Sequence, residues 1–250
     1  MCGRFFLVAP GVQVIDALGL SSSDPGLAGF QPRYNITPIQ TILTVTGVGA
    51  GRRVLSPAIW GMVPAWASRG GEAIKPLINV RSETALEKPT FRRAMNVGRC
   101  LIPASGFFEW LATSEKTKVP HVIQPPKRKR LMVLVGVSDP GADPTQRAAA
   151  IMTRASAGPV KGIHERMPLC MEPEDFDAWL DPSRDGKAVD DVLQRAIERT
   201  AVMELEAFAV GKEIGKNSAD GAGLIEPAKA EPAQASKGKQ PKDEQPGLFG

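Results

Sequence analysis

"RCLIPASGFFEWL" fills Arg99–Leu111, and its reading decides the fold. Aliphatic and aromatic residues follow one another between turn formers, which is the pattern of a β-strand region. The same kind of run recurs on both sides. "RFFLVA" (Arg4–Ala9), "QTILTVTG" (Gln40–Gly47) and "RVLSPAIWG" (Arg53–Gly61) precede it, and "HVIQPP" (His121–Pro126), "LMVLVGVSD" (Leu131–Asp139), "AAAIMTRA" (Ala148–Ala155) and "VMELEAFAVG" (Val202–Gly211) follow. Gly, Pro, Asp and Ser separate them. Helical patterns fit only Val12–Leu20, the neighbourhood of Glu83–Glu87, Pro173–Leu180 and Ala188–Thr200. In the third of these, an early Pro and acids in the first turn suit a helix start. Many short strands with few helices predict an α+β domain dominated by an antiparallel, barrel-like sheet, not a doubly wound parallel one.

The chain of 250 residues is long enough for one domain with a proper core plus a tail. After Pro227 the sequence turns rich in Pro, Lys, Ala and Gln, and has almost no apolar residue until its end. Such a segment cannot bury enough surface to offset its chain entropy. The expected organisation is therefore a domain over 1–227 and a disordered tail over 228–250. The net charge of +4 is a mild pointer to an anionic partner. Three cysteines, far apart, with only two histidines, fit neither a disulfide framework nor zinc spacing, so no metal or cofactor is expected. No apolar run reaches the length of a membrane span and no signal-peptide pattern opens the chain, so a reduced, cytoplasmic monomer is the expectation.

Cys2 stands where removal of Met1 would leave it as the amino terminus. An α-amine beside a thiol titrates near neutrality, with reference values of about 7.7–8.0 and about 8.5. Against an amide or ester such a cysteine is a nucleophile with its own amine as base. Against an aldehyde, the amine forms a Schiff base and the thiol closes a thiazolidine. A third reading makes Cys2 a small buried hydrophobe. Four turn-rich stretches, "PRYNITP" (Pro32–Pro38), "WGMVPAW" (Trp60–Trp66), "NVRSET" (Asn79–Thr84) and "CLIPASGFFEW" (Cys100–Trp110), mix aromatic, Arg, Asn and acidic residues, and "IHERMP" (Ile163–Pro168) adds a His beside a Glu and an Arg. Singly, Trp60, Trp66 and Trp110 read as core aromatics, Glu109 as an edge-strand carboxylate and His164 as a loop histidine.

Together with "MCGRF", these stretches resemble the SRAP family, the SOS-response-associated peptidase proteins that cross-link to abasic sites in DNA. The resemblance runs in order from Met1 to about Leu180, and more weakly to Pro227. It departs at "VGVSDP" (Val135–Pro140), where a Gly-Leu-Trp-Glu pattern is common. Carried over residue by residue, it implies Cys2 as the cross-linking residue and Asn79, Glu109 and His164 as its active-site companions. Arg4, Arg81, Trp66, Trp110 and Thr153 are the implied DNA contacts. The implied substrate is single-stranded DNA carrying abasic sites; removal of Met1 is part of the expectation, by self-processing or by a general methionine aminopeptidase, and the sequence does not decide whether lyase activity accompanies cross-linking. Glu109 is the expected proton donor, its pKa raised by desolvation between Phe108 and Trp110, with His164 moving protons at the Schiff base or holding the sugar oxygen; the sequence fits the two roles exchanged equally well. The near-terminal "QPGLF" resembles the short peptide that docks bacterial repair proteins on the sliding clamp, with Gln245, Leu248 and Phe249 as its contacts and a nucleoid-associated location implied. Two other functions fit the same residues: a glutaminase-like amino-terminal-nucleophile hydrolase, and a passive binder of damaged single strands.

Overall fold

The computed structural model describes residues 2–22, 24, 30–49, 51–63, 75–115, 117–139 and 147–228. The elements, in chain order, are β1 (Phe5–Leu7), α1 (Gly11–Leu18), β2 (Arg33–Ile36), β3 (Thr41–Gly47), β4 (Arg53–Trp60), β5 (Asn79–Arg81), α2 (Pro89–Val97), β6 (Arg99–Ala104), β7 (Gly106–Ala112) and β8 (Lys118–Gln124). They continue with β9 (Met132–Asp139), β10 (Ala148–Ala155), β11 (Arg166–Pro168), α3 (Phe176–Leu180), α4 (Gly186–Ala201) and β12 (Glu206–Ala209). This is the α+β, mainly antiparallel architecture that the strand-rich pattern predicts. No helix among the described residues is long and apolar enough to cross a membrane.

The strands form two sheets. One has the order β12-β8-β7-β1-β2, with every pair antiparallel. In the other, β4, β3, β6, β9 and β10 pair antiparallel in that order, and β10 returns to pair with β4 in parallel, closing a ring. Closure removes the free edges that an open sheet exposes. Beyond the ring, β10 carries β5 in parallel and β11 antiparallel on its second half.

The stretch Arg99–Leu111 is not one strand. It supplies β6 to the ring and β7 to the other sheet, and the chain crosses between them at Ser105. That crossing is fixed chemically: Ser105 Oγ accepts the backbone N–H groups of Val8 (2.9 Å) and Ala9 (3.3 Å), and Ser105 N–H donates to Phe6 O at 2.7 Å. Gly106 follows because a Cβ there would lie 2.5 Å from Phe6 Cζ and 2.7 Å from Ile123 O. At the start of the stretch, buried Arg99 donates to the carbonyls of Trp179 (2.6 Å), Asn96 (2.9 Å) and Arg184 (3.0 Å), which ties α2 and α3 to β6.

Three predicted features shift. No α-helix forms at Glu83–Glu87: a 3-10 turn covers Ser82–Thr84, and the helix is α2, opened by Pro89. Proline tolerates a first helical turn because its missing N–H would be unpaired there anyway. The turn-rich "PRYNITP" and "NVRSET" each contain a strand, β2 and β5. The central β7 pairs with β8 on one side and β1 on the other, so Glu109 is not on an edge strand.

A second small core lies on the opposite face of the open sheet, where Val210, Ile214, Leu224 and Ile225 pack on Phe6, Phe108 and Val122. The expected tail, including Gln245, Leu248 and Phe249, falls outside the described residues apart from Ala228.

Candidate active site

Side chains alternate across a strand, and that alternation sets the environment of Glu109. Phe108 and Trp110 belong to the small outer core, whereas Phe107 belongs to the main core. Glu109 therefore projects with Phe107, away from Phe108 and Trp110. This corrects the expectation that those two aromatics desolvate it. The direction of the shift stands: Glu109 is 3% exposed, and burial raises its pKa from 4.5 to about 7, against the positive charge of the amino terminus. Near neutral pH it is present both as acid and as carboxylate.

Three further groups meet there. Cys2, three residues before β1, is fully buried, and its carbonyl accepts a hydrogen bond from Asn79 Nδ2 at 2.8 Å. Asn79 is the first residue of β5, and its Oδ1 is buried without a hydrogen-bond partner among the described residues. It is an acceptor waiting for an N–H or O–H. The Cys2 thiol is pushed well above its ordinary value by burial and then by the charge of Glu109, and its S–H lies 3.9 Å from Arg4 O. It is therefore a thiol at neutral pH, not a thiolate.

His164 lies in the loop between β10 and β11, with Nε2 3.9 Å from Glu109 Oε2. His164 Nδ1 lies 3.0 Å from the Arg166 backbone N and 3.3 Å from Arg166 O; the shorter contact, in which the N–H donates to Nδ1, favours the tautomer with the proton on Nε2. Burial and then the amino-terminal charge lower its pKa, so the ring is neutral near pH 7.

Two residues that sequence reasoning did not single out frame this arrangement. Arg166, 7% exposed, makes a bidentate pair with Glu83 at 2.6 and 2.8 Å and donates to Thr153 O at 2.7 Å. The local signal was present in "NVRSET" and "HERMP", but nothing in either stretch names the other as its partner.

The residues implied as DNA contacts separate by environment. Arg81 is exposed at the end of β5. Trp110 is half-buried under the Arg4 guanidinium, which sits 5.9 Å from its ring centroid. Arg4 itself donates to Asn35 Oδ1 (2.7 Å), Asn217 Oδ1 (2.7 Å) and Gly215 O (3.0 Å). It clasps the chain's last described segment to the strand that follows Cys2. Thr153 is 1% exposed, with Oγ1 3.3 Å from Val80 O, so it lies behind the surface and supports Arg166. Trp66 falls outside the described residues.

Comparison with known proteins adds relatives to this geometry. The family described as SOS response associated peptidase (SRAP) matches residues 1–217. Abasic site processing protein YoqW of Bacillus subtilis (strain 168) is 32% identical over 230 residues, covering 90% of this chain and 99% of that protein. Abasic site processing protein YedK of Escherichia coli (strain K12) is 26% identical over 235 residues, covering 91% of this chain and 100% of that one. A crystal structure of a Bacteroides thetaiotaomicron protein superposes with a TM-score of 0.71 at 20% identity over 91% of this chain and 100% of that one, which bears on the fold alone.

Proposed function

Because the chain belongs to the SOS response associated peptidase (SRAP) family, we propose that it processes abasic sites in DNA by covalent capture on Cys2 once Met1 is removed. The observation that carries this reading is the buried meeting of Cys2, Asn79, Glu109 and His164. Once Met1 is gone, an α-amine and a thiol on adjacent carbons stand beside a carboxyl that titrates at about 7 and an imidazole with a proton on Nε2. Those are the groups that a closed sugar hemiacetal requires.

The reaction runs in four balanced steps. Glu109 gives its proton to the ring oxygen of the abasic deoxyribose and takes up the proton of the anomeric hydroxyl on its other oxygen, which opens the ring to the aldehyde and leaves Glu109 protonated. The Cys2 amine adds to the carbonyl carbon to give a carbinolamine. His164 holds the sugar oxygen through Nε2–H, Glu109 supplies the proton with which the hydroxyl leaves as water, and the resulting carboxylate takes the N–H proton back, giving the imine. The Cys2 thiol then adds across C=N, its sulfur to carbon and its proton to nitrogen, closing a thiazolidine. Protein plus DNA minus one water is the product. Asn79 fixes the Cys2 carbonyl and offers Oδ1 to the amine. A neutral thiol suits this order, with the amine leading and sulfur following.

The amidohydrolase alternative makes the Cys2 sulfur the first nucleophile with the Cys2 amine as its base, whereas abasic site processing is the activity named for the relatives. Arg81 and the Trp110 face serve the strand in this reading, by phosphate pairing and by stacking. Met1 leaves by hydrolysis of its peptide bond, within this site or by a separate aminopeptidase. Gln245, Leu248 and Phe249 are proposed as a tether to the sliding clamp, which would raise the local concentration at a fork.

The test mixes purified protein with a single-stranded oligonucleotide carrying one abasic site, beside Cys2→Ala, on a denaturing gel with intact-mass analysis. A shifted band that requires Cys2, at the mass of protein lacking Met1 plus DNA minus water, is the expected result. Binding without a covalent band, in protein already lacking Met1, overturns the proposal.

A further inference from the structure

The Glu83–Arg166 ion pair has no role in the steps above, yet it joins two of the segments that build the site. Glu83 sits in the 3-10 turn directly after β5, four residues beyond Asn79. Arg166 opens β11, two residues beyond His164. Nearly half of the Glu83 side chain is exposed, whereas that of Arg166 is 8% exposed. A surface carboxylate usually gains little from an ion pair, but a buried guanidinium without an anion is costly. The geometry is a full fork, Nη1 to Oε1 and Nη2 to Oε2, with a third bond from Nη2 to Thr153 O on β10. Such planar, bidentate pairing fixes orientation as well as distance. The guanidinium therefore fastens the Arg166 backbone, and it is the Arg166 N–H that donates to His164 Nδ1.

We propose that Glu83 is a positioning residue: by holding Arg166, it fixes His164 in the tautomer with the proton on Nε2 and in register with Glu109. The functional consequence rests on the covalent-capture reading above, in which Nε2–H holds the sugar oxygen. Arg166 stays paired with Ala155 of β10, but without the Glu83 charge its N–H is no longer held on His164 Nδ1, which can take the proton and donate to Arg166 O, already 3.3 Å away; that leaves the other tautomer, whose Nε2 is an acceptor facing a carboxyl. Asn79 and Arg166 are both paired with β10, at Ile151 and Ala155, so both strands stay in place and the effect falls on the His164 ring in the loop before β11.

The experiment is a double-mutant cycle with a spectroscopic arm. Long-range proton–nitrogen NMR of the His164 imidazole reads the tautomer in wild type and in Glu83→Gln. The expected result is an Nε2–H ring in wild type and a mixture in the variant. Cross-linking is then measured at saturating abasic oligonucleotide. Glu83→Gln should lower the maximal rate by about tenfold or more, the scale set by a displaced reacting group, with the half-saturating DNA concentration unchanged. In a His164→Ala background the same substitution should cost nothing further, because coupled residues are not additive. An equal cost in both backgrounds, an unchanged rate, or an unchanged tautomer each overturns the proposal. If Glu83→Gln does not fold, Glu83→Asp, which keeps the charge on a shorter stem, goes through the same cycle. If wild-type protein forms no cross-link, the covalent reading fails, while the tautomer measurement still decides the role of Glu83.

Discussion

His164 Nε2 stands 3.9 Å from Glu109 Oε2, and the two groups differ in access: the His164 side chain is 27% exposed and that of Glu109 only 4%. The buried member is the one whose proton matters near neutrality, since burial raises it from 4.5 to about 7. Between those values the folded protein holds a proton that the unfolded chain has released. The stability contributed by Glu109 is thus present below its unfolded pKa and lost as pH rises through 7. Glu109→Gln should lose less stability than wild type between pH 5 and pH 8 in chemical denaturation. The rate of DNA capture should fall above pH 7 as the acid form disappears, and fall below it as the Cys2 amine, with a reference value of about 7.7–8.0, becomes protonated. In Glu109→Gln the alkaline fall should vanish, with the remaining rate about 10²- to 10⁴-fold lower. An unchanged profile would remove Glu109 from the proton transfers.

A buried, neutral thiol beside an amine that can still react makes the two halves of Cys2 separable. Cys2→Ala keeps an amino-terminal amine but has no sulfur to close the ring. It should give an imine that borohydride traps, with no band surviving heat and denaturant unless the reductant is present. The thiols can be checked without DNA, because Cys2, Cys100 and Cys170 are all at most 1% exposed and burial pushes Cys100 and Cys170 up to about 12. Folded protein should react slowly with a disulfide reagent, and unfolding should release all three thiols. Fast labelling of Cys2 in folded protein would contradict the order in which the amine leads.

Arg4 and Arg81 make opposite predictions although both are arginines close to the site. Each phosphate contact on a single strand contributes about 0.7 to the slope of log K against log salt. Exposed Arg81 should behave so: Arg81→Ala lowers the slope by roughly that amount and weakens binding across sequences alike. Arg4, engaged by Asn35, Gly215 and Asn217, should leave the slope unchanged when replaced. Arg4→Ala should instead lower the melting temperature and loosen the segment beyond Gly211, read by hydrogen exchange. A slope change at Arg4 equal to that at Arg81 would mean that the clasp opens for DNA.

The difference between these arginines marks how far the sequence could be read. Each strand-rich run became a strand because local apolar content reports burial. The split of Arg99–Leu111 is marked in the sequence only by Ser105–Gly106, and because β6 and β7 are both buried nothing local shows that they serve different sheets. Cys2, Asn79, Glu109 and His164 were legible through motifs resembling a known family, and the structure brings them together. Their supports were not. Arg166 and Glu83 are 83 residues apart, and Arg4 and Asn217 are 213 apart. Partners so distant leave no local pattern, so the resemblance names Arg4 and Thr153 as DNA contacts while nothing in the sequence shows that Asn217 holds the one or that the other lies behind Arg166. Alternation along β7 was legible but misapplied when Glu109 was placed between Phe108 and Trp110, since adjacent residues face opposite sides.

The last prediction tests whether the crossing at Ser105 holds the site together. Gly106 begins β7, and any Cβ there meets Phe6 Cζ at 2.5 Å and Ile123 O at 2.7 Å. Ile123 O is backbone within a paired strand, and Phe6 is wedged in the outer core against Phe108, with ring centroids 5.3 Å apart. Neither can yield cheaply, and overpacking of this kind typically costs about 1–3 kcal/mol. Gly106→Ala should therefore lower the midpoint in urea with the slope unchanged. Relief by moving β7 away from β1 would carry Glu109, three residues on, away from Cys2, which precedes β1. The variant should thus lose capture rate by more than its lost stability explains, with DNA binding retained because Arg81 stands on β5 in the other sheet. Gly106→Ala with full stability and full rate would show that the crossing has slack, and that the alignment of Cys2 with Glu109 is set elsewhere.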